Sequence, residues 1–294
     1  MRWPDRPVVL YTRGAGCAEL AELLSPDTTR VSGDLVEACA RARADLLVSR
    51  KLPASFDLVN VAVPIDFNPA EVKAVVAAVA GGPHSELNVQ LAAAMGRALK
   101  VETLVATAYS EAESKVEAEE MVERILNVQP DMRRLAVLAE DPTGFISQLP
   151  EKSMLVIGEP GGSFLSRVFF GPGARLRSRA PSGAVIVRYA PTRVFHVMGE
   201  PVFVGPLHLA GDTLRLHPQS MMAVVENGQL VGVVRRRKLQ SANPGAAVGE
   251  LMDEPLAVRW DQSLEDAGGA VGSVEESPLP VTDGDGRLVG ALGR

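Results

Sequence analysis

At 294 residues, with 46% hydrophobic and 22% charged positions, the chain is long enough for two or three domains, each with its own core. A net charge of −6 and an aromatic content of 4% argue against general nucleic-acid binding, which needs basic surface and stacking platforms. Cys17 and Cys39 lack metal-ligand spacing and fit a reducing compartment better than a disulfide scaffold. The longest apolar run, Ala74 to Ala80, is too short to cross a bilayer, and Met1-Arg2-Trp3-Pro4-Asp5 lacks the apolar stretch of a secretory signal. A cytoplasmic protein without membrane insertion is expected.

The first segment, residues 1–72, alternates strand and helix. Val8 to Tyr11 reads as a strand, Cys17 to Leu24 as a helix, and Thr29 to Val31 as a second strand. Asp34 is placed to cap a helix reaching Ala44, and Asp45 to Val48 and Asp57 to Ile65 read as further strands. This is a small β-α-β-α-β module whose role the sequence does not disclose. Asp57 and Asp66 read as cap and loop residues rather than as phosphoacceptor or metal carboxylates.

A second α/β unit, residues 73–190, starts with a strand at Val75 to Val79 and a turn from Ala80 to Glu86 that takes in His84 and Ser85. An amphipathic helix follows from Leu87 to Leu99, then a strand at Glu102 to Ala108. A charged helix runs from Glu111 to Val128, and strands follow at Arg134 to Ala139, Ser153 to Ile157 and Ala184 to Arg188, with a short helix at Pro142 to Leu149. Five strands with interleaved helices predict a parallel, Rossmann-like sheet whose ligand crevice lies beyond the strand carboxyl ends.

Gly158-Glu159-Pro160-Gly161 follows the strand Met154-Leu155-Val156-Ile157, and nine residues separate Gly161 from Gly171. Glycines at a strand end let backbone N–H groups approach a phosphate, and a following helix N-terminus adds favourable partial charge. Beyond Thr192 the chain repeats itself. Val197-Met198-Gly199-Glu200-Pro201 is echoed by Leu251-Met252-Asp253-Glu254-Pro255, and Asn227-Gly228-Gln229-Leu230-Val231-Gly232 by Asp285-Gly286-Arg287-Leu288-Val289-Gly290. Each copy holds an N-G or D-G hairpin signal before a glycine-bearing strand, and two such copies are expected to pack about a pseudo-twofold axis.

On the spacing of Gly158, Gly161 and Gly171 and the closing strand Ala184 to Arg188, residues 73–190 resemble the universal stress protein family. The resemblance implies a five-stranded sheet that dimerises through its last strand, with ATP, cyclic AMP or no nucleotide bound. Two positions depart from the family pattern. Ala80 stands where ATP-binding members carry an acid, and Pro172 where a Ser or Thr would give a hydroxyl and an N–H. Gly162, Ser163, Ser166, Arg167, Arg175 and Arg177 are the neighbouring groups available instead. Residues 192–294 resemble a tandem pair of cystathionine-β-synthase (CBS) domains, regulatory modules that often sense adenosine-containing ligands between their halves. Arg235 occupies that family's hydroxyl position and Lys238 its ribose-binding Asp position, while the second copy reaches Gly293 and then Arg294, the last residue.

The candidate nucleotide- or phosphate-binding residues are therefore Gly158, Gly161, Gly162, Ser163, Gly171, Arg175, Arg235 and Lys238. The basic run Arg235-Arg236-Arg237-Lys238 reads either as a phosphate receiver or as a solvated helix start, and four consecutive side chains cannot all face one site. His196, His208 and His217 lack metal spacing, and neither a catalytic constellation nor a metal site is expected. The expectation is a non-enzymatic regulator sensing ATP, AMP or a related phosphate ligand. A ligand-independent scaffold is the alternative. Either way, a homodimer or higher homo-oligomer with a possible protein partner is expected, because the fifth strand of the sheet would be a free edge.

Overall fold

Short runs rich in Val, Leu and Ala set the strands of this chain, and amphipathic stretches between them set the helices. The computed structural model describes residues 3–79, 83–109, 114–126, 131–139, 142–159, 182–273 and 277–293. The chain divides into two units, Met1–Ala190 and Pro191–Arg294.

In the first unit, β1 (Val9–Tyr11), α1 (Cys17–Leu24), β2 (Thr28–Arg30), α2 (Leu35–Ala42), β3 (Leu46–Val48) and β4 (Asn60–Ile65) build the leading module. Asp34 caps α2 as expected, accepting hydrogen bonds from the Val36 N–H at 2.8 Å and the Glu37 N–H at 3.1 Å. After a single 3-10 turn come β5 (Ala74–Ala78), α3 (Pro83–Leu99), β6 (Glu102–Tyr109), α4 (Ser114–Leu126), β7 (Arg133–Leu138), α5 (Pro142–Ser147), β8 (Ser153–Gly158) and β9 (Ala184–Arg188). The element order matches the expectation, with one correction. His84 and Ser85 belong to the first turn of α3 rather than to a loop, because the helix opens at Pro83, whose fixed φ suits a first helical position.

All these strands join one nine-stranded sheet in the order β2-β1-β3-β4-β9-β8-β5-β6-β7. Every neighbouring pair is parallel except β4 and β9, which run antiparallel with Val63 opposite Ile186. The sheet is thus larger than the five strands expected for residues 73–190. The order β2-β1-β3-β4 also reproduces β6-β5-β8-β9, and no counterpart of β7 occurs in the leading module among the described residues. The two modules therefore meet tail to tail about an approximate twofold at the β4–β9 junction. The helices that follow the first strand of each module, α1 and α3, share one core: Leu20 and Leu24 pack in the same cluster as Leu91 and Met95.

This pairing corrects the free-edge expectation. β9 is flanked by β8 on one side and β4 on the other, so its backbone groups are satisfied within the chain. The edge on which the expected strand-to-strand dimer rested is occupied by residues 60–65 of the same molecule.

The second unit contains α6 (Val194–Val197), β10 (Phe203–Val204), α7 (Ala210–Leu216), β11 (Met221–Glu226), β12 (Gln229–Arg235), α8 (Arg236–Ser241), α9 (Val248–Leu251), β13 (Val258–Arg259), α10 (Leu264–Ser273), β14 (Leu279–Thr282) and β15 (Leu288–Leu292). They form two three-stranded sheets, β10-β11-β12 and β13-β14-β15, each with one parallel and one antiparallel pair. Both antiparallel pairs are irregular at matched positions, Val224/Val225 and Val281/Thr282. The internal repeat seen in the sequence is thus a repeat of structure.

Candidate functional site

Two places collect the expected site residues. In the first unit the strand order reverses at β5, whose neighbours are β8 and β6, and a crevice beyond the carboxyl ends of β5 and β8 is the usual ligand position of such a sheet. Gly158 closes β8 there. A Cβ on it would lie 2.8 Å from the Cβ of His84, so strand end and helix start are in direct contact. His84 Nδ1 accepts the Tyr189 N–H at 3.1 Å, which puts the proton of the neutral ring on Nε2. Burial pushes the His84 imidazole pKa below its ordinary value, with Glu159 opposing and Arg188 adding to the shift. One helical turn on, the buried Asn88 donates through Nδ2 to the Ala78 carbonyl at 3.0 Å, while its Oδ1 has no partner among the described residues.

Glu159, beside Gly158, forms an ion pair with Arg188 at the end of β9. Arg188 also donates to the carbonyls of Pro53 at 2.6 Å and Phe56 at 3.2 Å, in the leading module. The glycine turn is thereby anchored across the β4–β9 junction. Sequence reasoning missed Arg188 and Glu159 as partners and read His84 as a turn residue. Nothing local marks them, since the contacts join segments more than a hundred positions apart or depend on where β9 inserts. The other expected residues of this loop, Gly161, Gly162, Ser163, Gly171 and Arg175, lie outside the described residues, as do Ala80 and Pro172.

In the second unit the two copies clasp each other reciprocally. The Asp253 N–H donates to the Val233 carbonyl at 2.8 Å and the Val233 N–H to the Asp253 carbonyl at 3.2 Å. At the matched place, the Gly199 N–H donates to Ala291 at 2.8 Å and the Ala291 N–H to Gly199 at 3.1 Å. The hairpin turns meet in the same fashion, Leu230 to Gly286 at 3.1 Å and Leu288 to Gly228 at 3.2 Å. The clasping strands come close at their glycines: a Cβ at Gly232 would lie 2.7 Å from the Asp253 carbonyl oxygen, and one at Gly290 would lie 2.6 Å from Met198 Sδ.

Both expected residues of this unit converge at one of the two clasps. Lys238 Nζ lies 2.8 Å from Asp253 Oδ1, and the Arg235 guanidinium forms an ion pair with Oδ2 of the same carboxylate. The Lys238 ammonium, with Arg235 beside it, holds the Asp253 carboxyl below the usual carboxylate range. Arg236 turns away and donates to the carbonyls of Leu214 and His217, where α7 ends and a cation is favoured. Arg236 thus faces away from the carboxylate that Arg235 and Lys238 share. Asp253 was missed by sequence reasoning, although its place in the repeat, opposite Gly199, was visible. His196 and His208 serve the backbone, accepting the N–H groups of Arg193 at 3.0 Å and Gly205 at 2.9 Å.

Among the described residues there is no group of three or more His, Cys, Asp or Glu side chains fit to hold a metal ion, and no helix is long and apolar enough to cross a membrane. Cys17 and Cys39 are buried and unpaired, and burial pushes the Cys39 thiol up to about 12.

No protein-family model matches the sequence, and no curated protein matches it. Among solved structures, the chain is similar to the cytosolic domain of the Mg2+ channel MgtE in complex with ATP, at 28% identity, a TM-score of 0.32, and coverage of 34% of this chain and 45% of that one. It is similar to the CBS-pair protein CBSX2 from Arabidopsis thaliana at 29% identity, a TM-score of 0.33, and coverage of 36% and 90%. CBSX2 in complex with AMP is 32% identical, with a TM-score of 0.31 and coverage of 35% and 90%. The chain thus spans less than half the length of the MgtE chain and most of the length of CBSX2.

Proposed function

We propose that the chain is a non-enzymatic regulatory protein that senses an adenine nucleotide or a related phosphate-bearing ligand between its two C-terminal copies. The observation that carries this reading is the convergence of Arg235 and Lys238, from one copy, on a carboxylate supplied by the other. An arginine fork beside a lysine ammonium is suited to phosphate. A ligand held there touches both copies and favours one packing of them through its differential affinity. The first unit supplies a second candidate receptor of the universal stress protein type, in which Gly158 and the α3 N-terminus would face a phosphate and the buried Asn88 Oδ1 would accept from the ligand.

A second reading is favoured by the same carboxylate. Asp253 already neutralises part of the cationic charge, so the copies form a closed pair without a ligand and the chain acts as a scaffold. Native mass spectrometry of freshly purified protein, followed by thermal shifts with ATP, ADP, AMP and S-adenosylmethionine, separates the two. A sensor carries a co-purified mass or gains about 2–3 kcal/mol at a ligand concentration near a hundred times Kd. No bound mass and no shift with any of the four leaves the scaffold.

A further inference from the structure

We infer that the Asp253 carboxylate is a tethered stand-in for the ligand's phosphate, held by Arg235 and Lys238 and displaced when a phosphate dianion arrives. The inference rests on the nucleotide reading above and adds how that site is regulated.

The internal repeat supplies the control. The same backbone clasp closes on both sides of the pair, with nearly the same hydrogen-bond lengths. On one side it carries Asp253 facing Arg235 and Lys238; on the other the matched residue is Gly199, which has no side chain to offer. The ion cluster is therefore not what holds the copies together. Its three side chains are also open to solvent, with Arg235 24%, Asp253 36% and Lys238 42% exposed, so an anion can reach the cations without opening the fold.

The chemistry favours exchange. A phosphate brings a second charge and a third oxygen to donors that a monoanionic carboxylate holds here. Asp253 can yield by rotating about χ1 while its backbone stays bonded to Val233, so release does not unclasp the copies. The low Asp253 pKa means that the carboxylate competes in its charged form throughout the neutral range. A tethered competitor lowers apparent affinity by the fraction of time it vacates the site. The receptor then responds to its ligand only at high concentration, and the ligand class is a phosphate monoester or polyphosphate rather than a neutral nucleoside.

The test is isothermal titration of the full chain with ATP and, separately, with inorganic pyrophosphate at fixed ionic strength. Asp253→Asn keeps the backbone clasp and removes the competing charge, and should tighten binding of both probes by about tenfold or more. Adding Arg235→Gln to that variant should abolish the gain. If the wild type binds ATP and Asp253→Asn binds it equally or more weakly, the competitor role is overturned while the nucleotide reading stands. If neither protein binds either probe, both are overturned. Should Asp253→Asn fail to fold, a crystal structure of the wild type with ATP decides instead. The 2.8 Å contact of Lys238 Nζ with Asp253 Oδ1 should be broken, and its retention with ATP bound would refute the displacement.

Discussion

Alanine at the two clasping glycines should have unequal costs, although the repeat makes Gly232 and Gly290 equivalent. At Gly232 the added Cβ meets the Asp253 carbonyl oxygen at 2.7 Å, a backbone atom that can move only by lengthening the two Val233–Asp253 hydrogen bonds. Overpacking of this kind costs about 1–3 kcal/mol, and weakening two hydrogen bonds adds about 1–2 kcal/mol. The reduced freedom of the unfolded chain returns about 0.4–1 kcal/mol, so the net loss centres on about 3 kcal/mol, within a range of about 1–4.6 kcal/mol. At Gly290 the nearest atoms are Sδ and Cγ of Met198, 2.6 and 3.0 Å away in a flexible side chain, and the nearest backbone atom, the Gly199 oxygen, is 3.1 Å away. There the net change should stay within about 1 kcal/mol. For a unit of roughly a hundred residues the difference amounts to a Tm gap of about 10 °C. The chain has two tryptophans, Trp3 in the first unit and Trp260 in the second, so Trp260 fluorescence in a Trp3→Phe background follows the second unit alone. Equal losses for the two variants, or a larger loss at Gly290, would refute the reasoning.

Two further outcomes are expected in the first unit, followed by Trp3 in a Trp260→Phe background. Arg188→Met should destabilise it by about 3 kcal/mol in urea, because the half-buried Glu159 loses its partner and the Pro53 and Phe56 carbonyls lose a donor; a loss under about 0.5 kcal/mol would show that the ion pair contributes only as a surface contact. The pKa of His84, the one histidine among residues 1–190, is lower in the folded state, so its contribution is fully present above the unfolded value near 6.5 and is lost as pH falls below it. Urea midpoints should therefore drop between pH 7.5 and pH 5 in the wild type and drop less in His84→Gln; parallel profiles for the two proteins would contradict the assignment.

Much of the fold was legible because its signals are local. The Asp34 cap, the apolar runs of β5, β8 and β9 and the Asn227-Gly228 turn, where both residues have positive φ, each follow from a few neighbouring side chains. The first turn of α3 was misread because the segment Ala80-Gly81-Gly82-Pro83 carries turn chemistry up to the residue that starts the helix. At the site, Arg235 and Lys238 stood out as charges, but their partner did not: Asp253 is one acid among many until the repeat is folded back on itself.

By itself the sequence determined the succession of strands and helices and the existence of a repeat, because hydrophobic period, turn residues and ordered similarity are written along one dimension. Only the tertiary structure decided that β4 fills the edge of β9, that Arg188 reaches from that junction to the glycine turn, and that two basic residues close on one carboxylate. Strand edges pair through backbone groups that are the same in every residue, and ion pairs form wherever folding brings charges within a few ångströms. Neither leaves a mark on the local sequence.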